Sequence, residues 1–115
     1  MIETKNAVIE STSLGREHGC MTFMLILDYG GCGQGAGGYV LDGWNAKEQK
    51  RTGWVHGITL LSEIMDVVGV ERWEDLKGKH IRVKAEHNKV HAIGNFLKDD
   101  WLNFEEWCEA HLEPK

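Results

Sequence analysis

The chain has 115 residues, 42% hydrophobic and 27% charged, with a formal net charge of −5 at neutral pH. That length builds one domain around one modest core, and no apolar run approaches the ~20 residues of a membrane-spanning helix. Cys20, Cys32 and Cys108 are scattered and odd in number, which fits reduced thiols rather than a disulfide framework, and Met1-Ile2-Glu3-Thr4-Lys5 lacks the basic start and apolar run of a secretory signal. Both point to the cytoplasm.

The β-branched segment Ala7-Val8-Ile9 and its continuation predict a first strand over 5–14, closed by Gly15. Residues 15–19 are a polar connection. Met21 to Leu27 is apolar almost throughout, the pattern of a central strand covered on both faces. A glycine-rich stretch from Leu27 to Asp42 follows, with a third strand expected only at its end, 38–41. Glycine at this density adds no side chain to pack and costs backbone entropy. It marks a sharp bend, a bulge, or a surface that something approaches closely.

Residues 42–53 read as a charged loop. Ile58, Leu61, Ile64, Met65 and Val68 recur at helical spacing, with Glu63 and Asp66 outside and Gly69 placed to end the helix. Trp73 to Leu76 reads as one helical turn. In 79–86, Ile81, Val83 and Ala85 alternate with Arg82 and Lys84, the mark of a half-buried strand. After a turn at His87-Asn88-Lys89, a fifth strand is expected over 90–97. Asn103 and Glu106 have capping-box spacing for a last helix that carries Phe104, Trp107 and His111 on one face and stops at Pro114.

The expected architecture is mainly β, in the order β-β-β-α-β-β plus a C-terminal helix. Five short strands with one helix between the third and fourth is the order of an OB-like barrel. A small open α+β sheet has the same order. Residues 1–98 form the β domain, and residues 99–115 form an acidic helix and tail packed on it.

The segment from Ile58 through Val68-Gly69-Val70 and Asp75-Leu76-Lys77-Gly78-Lys79 to Lys84 resembles the middle of small phage single-stranded-DNA-binding proteins. The whole chain, with Leu27-Asp28-Tyr29-Gly30-Gly31 and Gly37-Gly38-Tyr39, is similar to small proteins carried by phages and prophages. The first resemblance implies an OB-type nucleic-acid binder. The second implies a mobile-element origin and no particular activity.

No complete catalytic constellation is visible, and the expectation is a binding protein, not an enzyme, without a cofactor or a metal. Gly33, Gly35 and Gly38 match G-x-G-x-x-G, but the third glycine runs into a strand where a dinucleotide site needs a helix. His87 and His91 have half of a zinc signature and no paired cysteines beside them. Cys32 lacks an evident base. Asp28 and Asp42 flank the glycine stretch and read more simply as loop caps than as an acid/base couple.

Charge gives the positive hypothesis. Residues 77–98 hold six lysines and arginines against Glu86 alone, while 99–115 hold six acids against Lys115. Lys79, Arg82, Lys84, Lys89 and His91, with Tyr39 and Trp44 as stacking aromatics, are the candidate site for single-stranded nucleic acid. The other hypothesis is a host-directed inhibitor that binds a host protein or a nucleotide signal through the glycine surface of Gly31, Gly33, Gly35 and Gly37. An exposed edge strand beside that surface offers a route to a homo-oligomer.

Overall fold

A computed structural model of the protein describes residues 1–111. In chain order the elements are β1 Glu3–Glu17, β2 Cys20–Asp28, β3 Gly33–Val40, β4 Asp42–Asn45, β5 Lys50–Gly53 and α1 Val55–Val68. A 3-10 turn at Trp73–Leu76, β6 His80–Glu86, β7 Lys89–Asn95, β8 Trp101–Asn103 and α2 Phe104–His111 complete it. Six strands form one antiparallel sheet in the order β3-β2-β1-β6-β7-β8, and β4 and β5 form a separate ribbon.

The long β1 organises the sheet. Val8 to Glu17 pair with β2, and Glu3 to Val8 pair with β6. A register shift between Ile9 and Ser11 marks a bulge that bends the strand from one partner toward the other. The backbone ladder does not close into a barrel; it ends at β3 and at β8. Side chains bridge the gap between β3 and the β6–β7 turn instead. Gln34 Nε2 donates to the carbonyls of Glu86 (2.9 Å) and His87 (3.2 Å). Phe104 fills the seam, stacked on Tyr39 at 5.1 Å between ring centroids and 6.2 Å from Phe23.

The glycine stretch is more ordered than its composition suggests. The turn is confined to Tyr29–Cys32, where Gly30 and Gly31 take positive φ values of 90° and 123°. Asp28 Oδ1 accepts the Gly30 N–H at 2.8 Å, so Asp28 is the expected loop cap. From Gly33 onward the chain is a full strand paired with β2, where 38–41 alone was expected. Pairing to the apolar β2 outweighs glycine's backbone cost of roughly 0.5–1 kcal/mol per residue. Gly37, with φ 134°, borders a bulge in β3, and a Cβ there would stand 2.7 Å from the Phe23 carbonyl. The expected loop over 42–53 is likewise the β4–β5 ribbon.

Helix α1 buries Gly57, Leu60, Ile64, Val67 and Val68. Ile58, expected on the core face, is 63% exposed. Gly57 explains the rotation: its Cα lies so close to Leu41 that a Cβ would fall 2.0 Å from that carbonyl oxygen. With Gly57 turned inward, its neighbour Ile58, about 100° round the helix, faces out. The helix ends as expected, with Gly69 at φ 93° donating to the Met65 carbonyl at 2.8 Å. Asn103 Oδ1 caps α2 by accepting the Glu106 N–H at 2.9 Å, and Phe104 and Trp107 are buried. The expected stop at Pro114 lies outside the described residues.

Gly57→Ala is expected to destabilise the protein by at least about 1–3 kcal/mol, the usual cost of overpacking. Gly53→Ala, where a Cβ meets nothing within 4 Å, is expected to stay within about 0.5 kcal/mol of wild type. Urea unfolding of the two variants checks the difference.

Candidate nucleic-acid interface

Strand β6 sends Ile81, Val83 and Ala85 into the core and leaves Arg82 partly and Lys84 well exposed on the outer face. Cross-strand register sets their surroundings. Arg82 lies opposite Asn6 and Gly94, Lys84 opposite Thr4 and Ala92, and Gly94 opposite Trp101. Because Gly94 has no side chain, the Trp101 indole lies directly against it; a Cβ there would come within 2.6 Å of the ring. The Arg82 guanidinium sits over the same ring at 4.9 Å and the Lys84 ammonium at 4.5 Å, within cation–π range.

Arg82 is fixed by its own bonds: Nε donates to the Asn95 carbonyl (2.9 Å) and Nη2 to the Lys98 carbonyl (2.7 Å). The indole Nε1 donates to Asp99 Oδ1 at 3.0 Å. Lys84 has no carboxylate partner among the described residues. His80 and Phe96 pair nearby at 5.5 Å, with Phe96 exposed. Arg82, Lys84 and Trp101 thus form a cationic aromatic cluster beside a second aromatic pair.

Trp101 is partly exposed and belongs to this cluster, not to the core. The sequence does hold a signal for it, since Gly94 interrupts the outward register of an otherwise well-filled strand, a vacancy that a cross-strand aromatic can cover. Finding the partner required β8, three residues long and without a periodic pattern.

The remaining candidates are dispersed. Lys89 and His91 lie on β7 and are engaged by acids. Lys89 Nζ is 2.6 Å from Glu105 Oε2; His91 Nε2 is 2.6 Å from Glu86 Oε2, and its Nδ1 is 3.8 Å from Glu105 Oε1. Hydrogen bonds from His91 and Lys89 respectively hold Glu86 and Glu105 below the usual carboxylate range, and the Glu105 bond raises Lys89. Tyr39 is packed against Phe104, and burial raises its hydroxyl pKa. Lys79 is exposed ahead of β6 beside a groove of mixed charge that includes Glu71, Arg72, Glu74, Asp75 and Lys77. Trp44 is 61% exposed on the β4–β5 ribbon.

Of the glycine surface, Gly31, Gly33 and Gly35 are exposed, and a Cβ on Gly35 would stand 3.1 Å from the Met24 sulfur. Gly37 is half-buried against Phe23.

Asp28 and Asp42 sit at opposite ends of β2 and form no couple. Asp42 is 4% exposed. Its Oδ1 accepts from Arg51 Nε (3.0 Å), Arg51 Nη2 (2.9 Å) and the Met21 N–H (3.2 Å). Burial pushes this carboxyl up, but the Arg51 and Met21 hydrogen bonds, with the Arg51 and Arg16 charges, outweigh it and hold the group below its ordinary value. Among the described residues no three His, Cys, Asp or Glu side chains are grouped to hold a metal, and no helix is long and apolar enough to cross a membrane. No family model, curated protein or solved structure matches this chain.

A depressed folded-state pKa gives stability that is present above the unfolded value and lost as pH falls through the folded one. Stability is therefore expected to drop as pH falls below about 4, the unfolded carboxylate range. Asp42→Asn is expected to cost about 1–3 kcal/mol at neutral pH by weakening a charged hydrogen-bond set, and to flatten the acid limb. Urea unfolding from neutral to acid pH measures both.

Proposed function

We propose that this chain is a non-enzymatic, cytoplasmic binding protein of phage or prophage origin whose Arg82–Lys84–Trp101 face takes single-stranded nucleic acid. The observation that carries the reading is the indole seated on Gly94 beneath two cations. Single strands are held by aromatic rings that stack bases and by cations that track the backbone. Trp101 supplies the ring. Arg82, fixed by two carbonyls, supplies a positioned guanidinium. Lys84 supplies an ammonium able to swing from the ring to a phosphate.

The connectivity supports an OB-like reading of the sheet. The long first strand pairs with both the second and the fourth strands of the main sheet in chain order, β2 and β6, and the helix comes before the fourth. The resemblance of residues 58–84 to phage single-stranded-DNA-binding proteins favours the same ligand.

A second reading, a host-directed inhibitor, is favoured by the exposed acids Asp100, Glu106 and Glu109 of the C-terminal segment. These can present negative charge to a basic host protein.

Titration with oligo-dT at two salt concentrations, followed by tryptophan fluorescence, separates the readings. Binding is expected to weaken with salt. Lys84→Gln should lower the slope of log K against log salt by about 0.7, and Trp101→Ala should cost about 1–3 kcal/mol. No response at low salt would overturn the nucleic-acid reading and turn the search to a protein partner.

A further inference from the structure

A second cluster lies outside that face, where the β1–β2 hairpin, the β4–β5 ribbon and the start of α1 meet. They enclose a groove of about 210 Å³, lined by Arg16, Met21, Leu41, Asp42, Arg51 and Trp54 among others. One wall is the Trp54 indole, which lies so close to Gly43 that a Cβ would fall 2.0 Å from Nε1. Trp54 is 40% exposed, and the exposed Ile58 stands beside it.

The charges in the groove do not balance. Asp42 is met by Arg51, which uses Nε and Nη2 on it; Nη1 makes no hydrogen bond to a described residue. Arg16 is exposed at the groove's rim, and its side chain forms no hydrogen bond or ion pair with any described residue. The planar fork of a guanidinium matches an oxyanion in bidentate geometry. One net positive charge thus stands next to an exposed indole and an aliphatic side chain. The volume lies below the ~300 Å³ at which drug-sized sites begin, which limits the ligand to about one ring and one anionic group.

We propose that this groove binds a small molecule carrying an oxyanion, phosphate or carboxylate, on a flat ring. The oxyanion lies between Arg16 and the free edge of Arg51, and the ring lies against Trp54 and Ile58. The proposal does not depend on the nucleic-acid reading, because none of its residues belongs to the Arg82–Lys84–Trp101 face.

Calorimetric titration of the full chain with phenyl phosphate, benzoate and phenol tests it. One or both anions are expected to bind saturably at one site, their ranking telling phosphate from carboxylate, while phenol does not bind. Arg16→Gln is expected to weaken the anion about tenfold or more, with the thermal midpoint of the unliganded protein unchanged. Trp54→Leu should weaken phenyl phosphate while leaving the protein folded by circular dichroism. Absence of saturable binding by both anions, equal binding of phenol, or wild-type affinity in folded Arg16→Gln would overturn the proposal.

Discussion

Two tryptophans owe their positions to the absence of a side chain opposite them. Trp101 lies on Gly94 and Trp54 lies on Gly43, each closer than any Cβ would allow. An indole placed this way loses mobility without being fully buried, so it can present a ring to a ligand at little further entropic cost. The same device at Gly57, against the Leu41 carbonyl, sets the rotation of α1. It thereby leaves Ile58 beside Trp54 on the outside of the helix. Both proposed ligand surfaces therefore rest on glycine contacts, although neither Gly94 nor Gly43 belongs to the glycine-rich stretch itself.

That stretch does different work. Gly30 and Gly31 make the turn, and the residues from Gly33 onward pair with β2 as an ordinary strand. Its far edge is not paired by backbone with β7. Gln34 ties it to the β6–β7 turn, and the Phe104–Tyr39–Phe23 stack packs the seam from inside. Helix α2 is consequently part of the core, through Phe104 and Trp107. Glu105, projecting from that helix, neutralises Lys89 and approaches His91. This shifts the unneutralised positive charge of the hairpin toward Lys84 and away from its turn.

Sequence periodicity revealed what depends on neighbours along the chain. The alternation of β6, the Gly69 helix stop, the Asn103 cap and the apolar run of β2 all depend on local pattern, and all appear in the fold. What escaped depends on partners distant in sequence. The β4–β5 ribbon has four-residue strands whose charged composition resembles a loop. The inward rotation of Gly57 follows from Leu41, and the exposure of Trp101 follows from a glycine on another strand. Charge counting identified Arg82 and Lys84, which converge on one ring. It also gathered Lys89 and His91, whose acidic partners Glu86 and Glu105 come from the hairpin and from α2.

The most direct test of the account follows the indole N–H resonances of the five tryptophans during addition of oligo-dT at low salt. Trp101 is expected to shift progressively and to saturate, while Trp54, on the separate groove, stays in place. Shifts confined to Trp44 or Trp54, or no movement of Trp101 at saturating oligonucleotide, would contradict the assignment of the Arg82–Lys84–Trp101 face.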